Sequence, residues 1–172
     1  PDVDMLLNGG EELIDGSGFW TIWTPGHSPG HLCIHDKKRR LLFSGDHVLP
    51  NITPHVSLYP GDDGDPLGIF LDGQRTLKTL DVDMVHPAHE YSFSDLRQRV
   101  DDILKHHDER MDEMVAQVRE NPKTAWQIAS AIKWNVASWE GLGPASRRMA
   151  LMETVAHLRH MVIGGKLKRQ EQ

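Results

Sequence analysis

At 172 residues, with 38% hydrophobic and 26% charged, the chain has the composition of a globular protein large enough to bury a real core. A formal net charge of -6 removes any global electrostatic case for nucleic acid and leaves only a local basic patch for that role. One cysteine, Cys33, excludes an internal disulfide framework, and no apolar run approaches the roughly 20 residues that span a bilayer, so a cytoplasmic protein with no membrane partner is expected.

Residues 1–18 are turn-rich, broken by Gly9-Gly10 and Gly16-Ser17-Gly18, with Glu11 to Ile14 a short candidate strand. Phe19 to Trp23 is aromatic and β-branched and reads as a strand. Thr24-Pro25-Gly26-His27-Ser28-Pro29-Gly30-His31 follows, where proline locks φ and glycine admits positive φ, so two tight turns hold His27 still. His31 to His35 alternates weakly, Asp36 to Arg40 forms a charged hairpin turn, and Leu41 to Ser44 is an apolar strand that stops at Gly45-Asp46-His47. Residues 48–66, rich in proline, glycine and aspartate, form a long irregular stretch of the kind that carries function in compact domains. Leu67 to Leu80 has approximate helical spacing, with Gly73 a weak point. Val82 to Val85 is a strand running into His86-Pro87-Ala88-His89-Glu90-Tyr91.

The remainder is helical. Ser94 is a candidate N-cap for a long helix in which Leu96, Val100, Ile103, Leu104, His107, Met111, Met114, Val115 and Val118 keep i, i+3, i+4 spacing, ended by Asn121-Pro122. Thr124-Ala125-Trp126-Gln127 is a capping box. A last helix spans about 145–162 with Leu151, Val155, Leu158 and Val162 as its expected buried face, stopped by Gly164-Gly165, and Lys166 to Arg169 is a candidate strand. The histidine pairs His106-His107 and His157/His160 read as solvated helix faces. The expected division is an α/β part at 1–93 and a helical part at 94–172.

Three segments therefore end alike: His27, Asp46 and His89 each stand just past a strand. Two imidazoles and a carboxylate suit Zn, Mn or Fe and are too nitrogen-rich for Ca or Mg. Three protein ligands leave an open position for water, whose pKa such an ion lowers towards about 7.

The motifs Thr24-Pro25-Gly26-His27-Ser28-Pro29-Gly30-His31, Ser44-Gly45-Asp46-His47 and His86-Pro87-Ala88-His89, in this order, resemble the last three metal motifs of the metallo-β-lactamase-fold hydrolases. The resemblance covers about 1–93. It implies an α+β chain that is the C-terminal part of the αβ/βα sandwich, with His27 and His89 each binding one of two metal ions, most simply Zn, and Asp46 bridging them. His31, His47 and His86 become neighbours and not ligands. The family's first motif, His-X-His-X-Asp-His, is absent, so the expectation is an incomplete and by itself inactive part of a larger hydrolase, in which this sequence names no residue that handles the water. The substrate class implied is a small ester, thioester or lactone, or a phosphodiester. His89-Glu90-Tyr91 is similar to the glyoxalase II form of the final motif, which makes Tyr91 a candidate substrate contact. The helical part resembles the winged-helix-type extension of lactamase-β-like hydrolases, from which nucleic-acid contact through Arg147, Arg148, Lys166, Lys168 and Arg169 is the lesser alternative. A partner chain covering the exposed core, and hence an oligomer, is a further expectation.

Overall fold

A computed structural model describes residues 5–135 and 137–170. The element order is β1 (Phe19–Trp23), β2 (Leu32–Asp36), β3 (Leu41–Gly45), α1 (Pro66–Lys78), β4 (Met84–Pro87), α2 (Leu96–Gln117), α3 (Ala125–Ala131), a 3-10 turn (Trp139–Gly141) and α4 (Pro144–Ile163). This is the expected α+β composition, a small mixed sheet with four helices. Backbone contacts divide the described residues into two compact units. One holds the residues up to Pro54 with Ile69–Leu104, the other His55–Gly68 with the residues from Lys105 onward.

In the first unit the four strands pair in the order β1-β2-β3-β4. β1 is antiparallel to β2, β2 antiparallel to β3, and β3 parallel to β4. Two reversals return β3 to the direction of β1, so β1, β3 and β4 all run the same way. Their C-terminal ends, at Trp23, Gly45 and Pro87, emerge from one edge of the sheet, where open α/β sheets place their ligands. The alternation that seals this sheet is legible in its core: Cys33, Leu42 and Val85 are fully buried, while Phe43 and Trp23 on the other side are 40% and 57% exposed.

Several sequence expectations need correction. Glu11 to Ile14 is not a strand: Glu12 makes a single bridge to Trp20, and Ile14 is exposed. The cap of α2 is not Ser94 but Asp95, whose side chain accepts from the Gln98 backbone N–H at 3.1 Å and whose φ is +64. Gly73 does not weaken α1; a Cβ there would lie 2.7 Å from His47 Nε2, so the glycine is what lets the helix pass the buried imidazole.

In the second unit, Met111, Met114, Ile128, Ile132 and Met161 form a core under Val115, Val118, Trp134 and Leu158. The capping box of α3 forms as expected, Gln127 N–H donating to Thr124 Oγ1 at 3.2 Å and Thr124 N–H to Gln127 Oε1 at 2.8 Å. The buried face of α4 is not Leu151, Val155, Leu158 and Val162, all of which are half-buried, but Ala150, Thr154, His157 and Met161. Spacings of three and four still hold along it, Met152 and Ala156 are buried as well, and small and polar residues sit among the methionines, with Thr154 Oγ1 returning its hydrogen bond to Ala150 O at 2.9 Å. No strand follows α4 among the described residues: 166–170 are bend and irregular backbone, so the strand expected at Lys166 to Arg169 does not form. No helix among the described residues is long and apolar enough to cross a membrane.

Candidate metal centre

The common sheet edge brings together the three strand-end residues. His27 Nε2 lies 3.7 Å from Asp46 Oδ2, and His89 Nε2 lies 3.1 Å from Asp46 Oδ1. Each imidazole thus meets a different oxygen of one carboxylate. Asp46 Oδ1 is buried and accepts no hydrogen bond of normal geometry. A carboxylate oxygen taken out of water, with the His89 ring beside it but no well-formed hydrogen bond, is costly unless something else supplies positive charge. No three His, Cys, Asp or Glu side chains among the described residues close around a single point, so this is an open set of donors and not a finished cage. In donor chemistry, two imidazole nitrogens and an orphaned carboxylate oxygen fit a borderline divalent cation as part of its ligand set.

The backbone that carries these donors is fixed from below by His31. The Asp46 backbone N–H donates to His31 Nε2 at 3.0 Å, so that nitrogen is the acceptor and the ring proton sits on Nδ1. Nδ1–H then donates to Thr24 Oγ1 at 2.8 Å. Both ring nitrogens of His31 are engaged, which leaves it nothing to offer an ion. Burial, and beyond it the neighbouring His27, lower its pKa, with Asp46 opposing, so it stays neutral in that tautomer. Gly45 makes the approach possible. Its φ is +52, and a Cβ there would sit 2.5 Å from His31 Nε2. His47, next in the chain, is fully buried against Phe70 at 4.7 Å between ring centroids, with its pKa pushed down to about 3, first by burial and then by His31 and His27. It packs; it does not face the edge. Cys33, beneath the same strands, is likewise inert, its thiol pushed up to about 12 by burial.

The loop bearing His27 is tied by Thr24 N–H to His31 O at 3.0 Å and by Trp23 Nε1–H to Pro29 O at 3.0 Å, with Gly26 at φ +128. The final motif is tied to β3 by Ala88 N–H donating to Gly45 O at 2.9 Å. His86 stacks on Phe43 and bonds Ser92 Oγ at 2.8 Å, a packing role.

Tyr91 is 57% exposed, and its hydroxyl donates to Asn51 Oδ1 at 3.1 Å. Asn51 also donates through its backbone N–H and Nδ2 to the carboxylate of Glu90, at 3.1 and 3.2 Å, and Glu90 stands at φ +70. A left-handed, non-glycine residue immediately after His89 is a strained position, and Asn51 is what holds it. Sequence reasoning did not find Asn51. Only its place in the long irregular stretch 48–66 pointed that way. Arg99 secures that stretch in turn, donating to Leu49 O at 2.6 Å and Ile52 O at 2.8 Å.

The histidines of the helical part behave differently, and the expectation of solvated faces is wrong for His107 and His157, while His106 and His160 are partly exposed. His107 and His157 are buried, and His107 Nδ1 and His157 Nε2 are 3.0 Å apart. His157 Nδ1 lies 2.8 Å from Glu153 O, a carbonyl that can only accept, so Nδ1 carries the proton and Nε2 receives one from His107. His160 pairs with Asp65 at 2.9 Å.

Known proteins can now be set beside this geometry. The family model of the Metallo-beta-lactamase superfamily matches residues 1–89. The chain is similar to a beta-lactamase domain protein from Burkholderia ambifaria, with TM-score 0.89 and 28% identity over 100% of this chain and 50% of that one. It is similar to a metallo-beta-lactamase family protein from Thermus thermophilus, with TM-score 0.83 and 28% identity over 99% of this chain and 53% of that one. Among curated sequences it is 25% identical over 123 residues to the lactamase-like protein aptB of Emericella nidulans, spanning 70% of this chain and 37% of that relative. The chain therefore spans a little over a third of the curated relative and about half of each solved chain.

Proposed function

The chain belongs to the metallo-beta-lactamase superfamily, and from that premise we propose that it supplies one face of a two-ion hydrolytic centre in the full protein. His27 would bind one ion, His89 the other, and Asp46 would stand between them. The observation that carries this reading is the pairing of the two Nε2 atoms with opposite oxygens of Asp46, one of which is buried and otherwise unpartnered. A carboxylate so approached from two sides has the disposition of a bridge. Zn is the simplest ion for this donor set, with Mn and Fe compatible. Bound ions there supply charge stabilisation and a water of lowered pKa.

The chain's own residues do the rest. His31 holds the Asp46 backbone, Gly45 admits that approach, and Asn51 locks the Glu90-Tyr91 turn that presents His89. Tyr91, exposed and close in sequence to His89, would hydrogen-bond the carbonyl or phosphoryl oxygen of a substrate by turning its hydroxyl away from Asn51 Oδ1. The substrate class is an ester, thioester, lactone or phosphodiester, and the remaining ligands would come from residues outside this chain. The nucleic-acid alternative has less to stand on: Arg147 is spent on the carbonyls of Trp139 and Glu140, each at 3.0 Å, and Lys166 on Asp112 at 2.9 Å.

The test is metal content and hydrolysis of the full-length protein with Asp46→Ala and His89→Ala. Loss of both properties is expected. Retention of metal and turnover in both variants overturns the reading.

A further inference from the structure

The second unit carries a titratable cluster that the metal reading does not use. The irregular segment 55–58 is hooked to α4 by Leu58 N–H donating to Met152 O at 3.4 Å. This sets His55 and Ser57 against Glu153, the residue after Met152 on that helix. His55 Nδ1 is 3.0 Å from Glu153 Oε2, and Ser57 Oγ is hydrogen-bonded to His55 Nε2. The roles follow from the chemistry of the three groups. An ionised carboxylate only accepts, so Nδ1 carries the imidazole proton, Nε2 is left as an acceptor, and the Ser57 hydroxyl donates to it. Burial works to raise the Glu153 pKa, but the hydrogen bond from His55, with the nearby His157 and Arg110, outweighs it, so the carboxylate stays ionised.

We propose that Ser57, His55 and Glu153 form a second nucleophilic site, independent of Asp46, that takes the acyl group of an ester with an apolar acyl chain. A hydroxyl, an imidazole acceptor and a carboxylate that fixes the tautomer are the three roles such chemistry requires, whatever the fold or chain order. A brace needs no access to solvent, whereas here a cavity of about 260 Å³ opens on His55 and Ser57, lined also by Tyr59, Arg148, Met149 and Met152. Tyr59 and Met149 are 56% and 52% exposed, an apolar surface beside a reactive group that an acyl chain would cover. Arg148 brings the cation that a developing oxyanion needs.

In the acylation step the Ser57 Oγ–H proton passes to His55 Nε2 as Oγ bonds the carbonyl carbon. The carbon–oxygen bond to the alcohol then breaks, and His55 returns the proton to the departing alkoxide. Water reverses the sequence, its proton passing through His55 to Ser57 Oγ as the free acid leaves.

The experiment uses the whole 172-residue chain, treated with chelator, and an alkyl fluorophosphonate. The phosphorus–oxygen bond forms on Ser57 as fluoride leaves, and intact mass with peptide mapping reads the adduct. A single adduct on Ser57 is expected, insensitive to chelator, abolished by Ser57→Ala and slowed at least tenfold by His55→Gln. A medium-chain p-nitrophenyl ester should leave a transient acyl group on the same serine. Absence of any Ser57 adduct in the unaltered chain overturns the proposal. So does an unchanged labelling rate in a His55→Gln variant whose circular dichroism matches that of the unaltered chain. The first of these outcomes needs no variant to fold, and neither bears on the metal centre.

Discussion

The sheet edge and the helical unit both concentrate histidine, yet they use it in opposite ways. At the edge, His27 and His89 keep side-chain exposures of 33% and 65% and turn their Nε2 atoms to a shared carboxylate. In the helical unit, His107 and His157 are sealed in and turned to each other, with a backbone carbonyl as the final acceptor. The deciding factor is the backbone beneath the side chain. A strand end stiffened by proline and glycine holds an imidazole outward and partly exposed, whereas a helix face buries whatever lies on its i, i+3, i+4 line, apolar or not. One histidine bridges the two behaviours: His31 is on the edge but spends both nitrogens internally, which makes it the holder of the site and not a ligand.

The comparison can be broken most severely at Asp46. Asp46→Ala removes the one group that both edge imidazoles address, and metal binding should be abolished while the helical unit keeps its circular dichroism; isothermal titration with Zn checks the first and the spectrum the second. Next comes His31→Ala, which leaves every proposed ligand in place but frees the Asp46 backbone. A loss of about 10- to 100-fold in metal affinity is expected, the usual cost of removing a group that orients a ligand. Affinity equal to that of the unaltered chain would make His31 mere packing.

On the helical side, His157→Ala should lower stability by about 2–4 kcal/mol, through the cavity and the stranded His107, with no effect on metal affinity. Urea unfolding measures it. The same pair gives a pH dependence with a definite sign. Burial lowers the pKa of both His107 and His157, the first also through its partner's proximity and the second against the opposing pull of Glu153. The unfolded chain therefore binds more protons than the folded one below the ordinary histidine value of about 6.5. Stability is fully present above that pH and is lost as pH falls through it, and unfolding midpoints at pH 7.5 and 5.5 should differ in that direction. His47, with its pKa at about 3, adds to the same slope.

The smallest effect sharpens the comparison from the edge. In an exposed helix interior Gly→Ala stabilises by up to about 1 kcal/mol. Gly73→Ala should instead destabilise by about 1 kcal/mol or more, because the new methyl would meet His47 Nε2 at 2.7 Å. A gain in stability would show that His47 yields easily.

What the sequence revealed and what it concealed divide along the same line. The three strand ends were legible because β-branched and aromatic runs stop at proline, glycine or both, and two antiparallel steps put β1, β3 and β4 in one direction. The face of α4 was not, because a search for large apolar residues selects Leu151 and Val155, while the helix buries Ala150, Thr154 and His157. Buried polar residues are chosen by partners distant in the chain, and such partners leave no local signal. His55 and Glu153 stand 98 positions apart and His107 and His157 stand 50 apart. Asn51 and Asp95 escaped for a smaller reason: each stabilises a left-handed backbone position, Asn51 at Glu90 and Asp95 at itself, and residue type alone does not announce that conformation.

The metal reading stands or falls on which histidines an ion touches. Nitrogen-15 NMR of the imidazole rings during a Zn titration of the full-length protein reports that directly, ring by ring. The Nε2 resonances of His27 and His89 should move together, while His31 keeps its Nδ1–H tautomer and His107 and His157 stay where they were. A shift of His31 Nε2 in place of theirs, or no imidazole shift at the sheet edge at all, would contradict the assignment of His27, Asp46 and His89 as a metal-binding set.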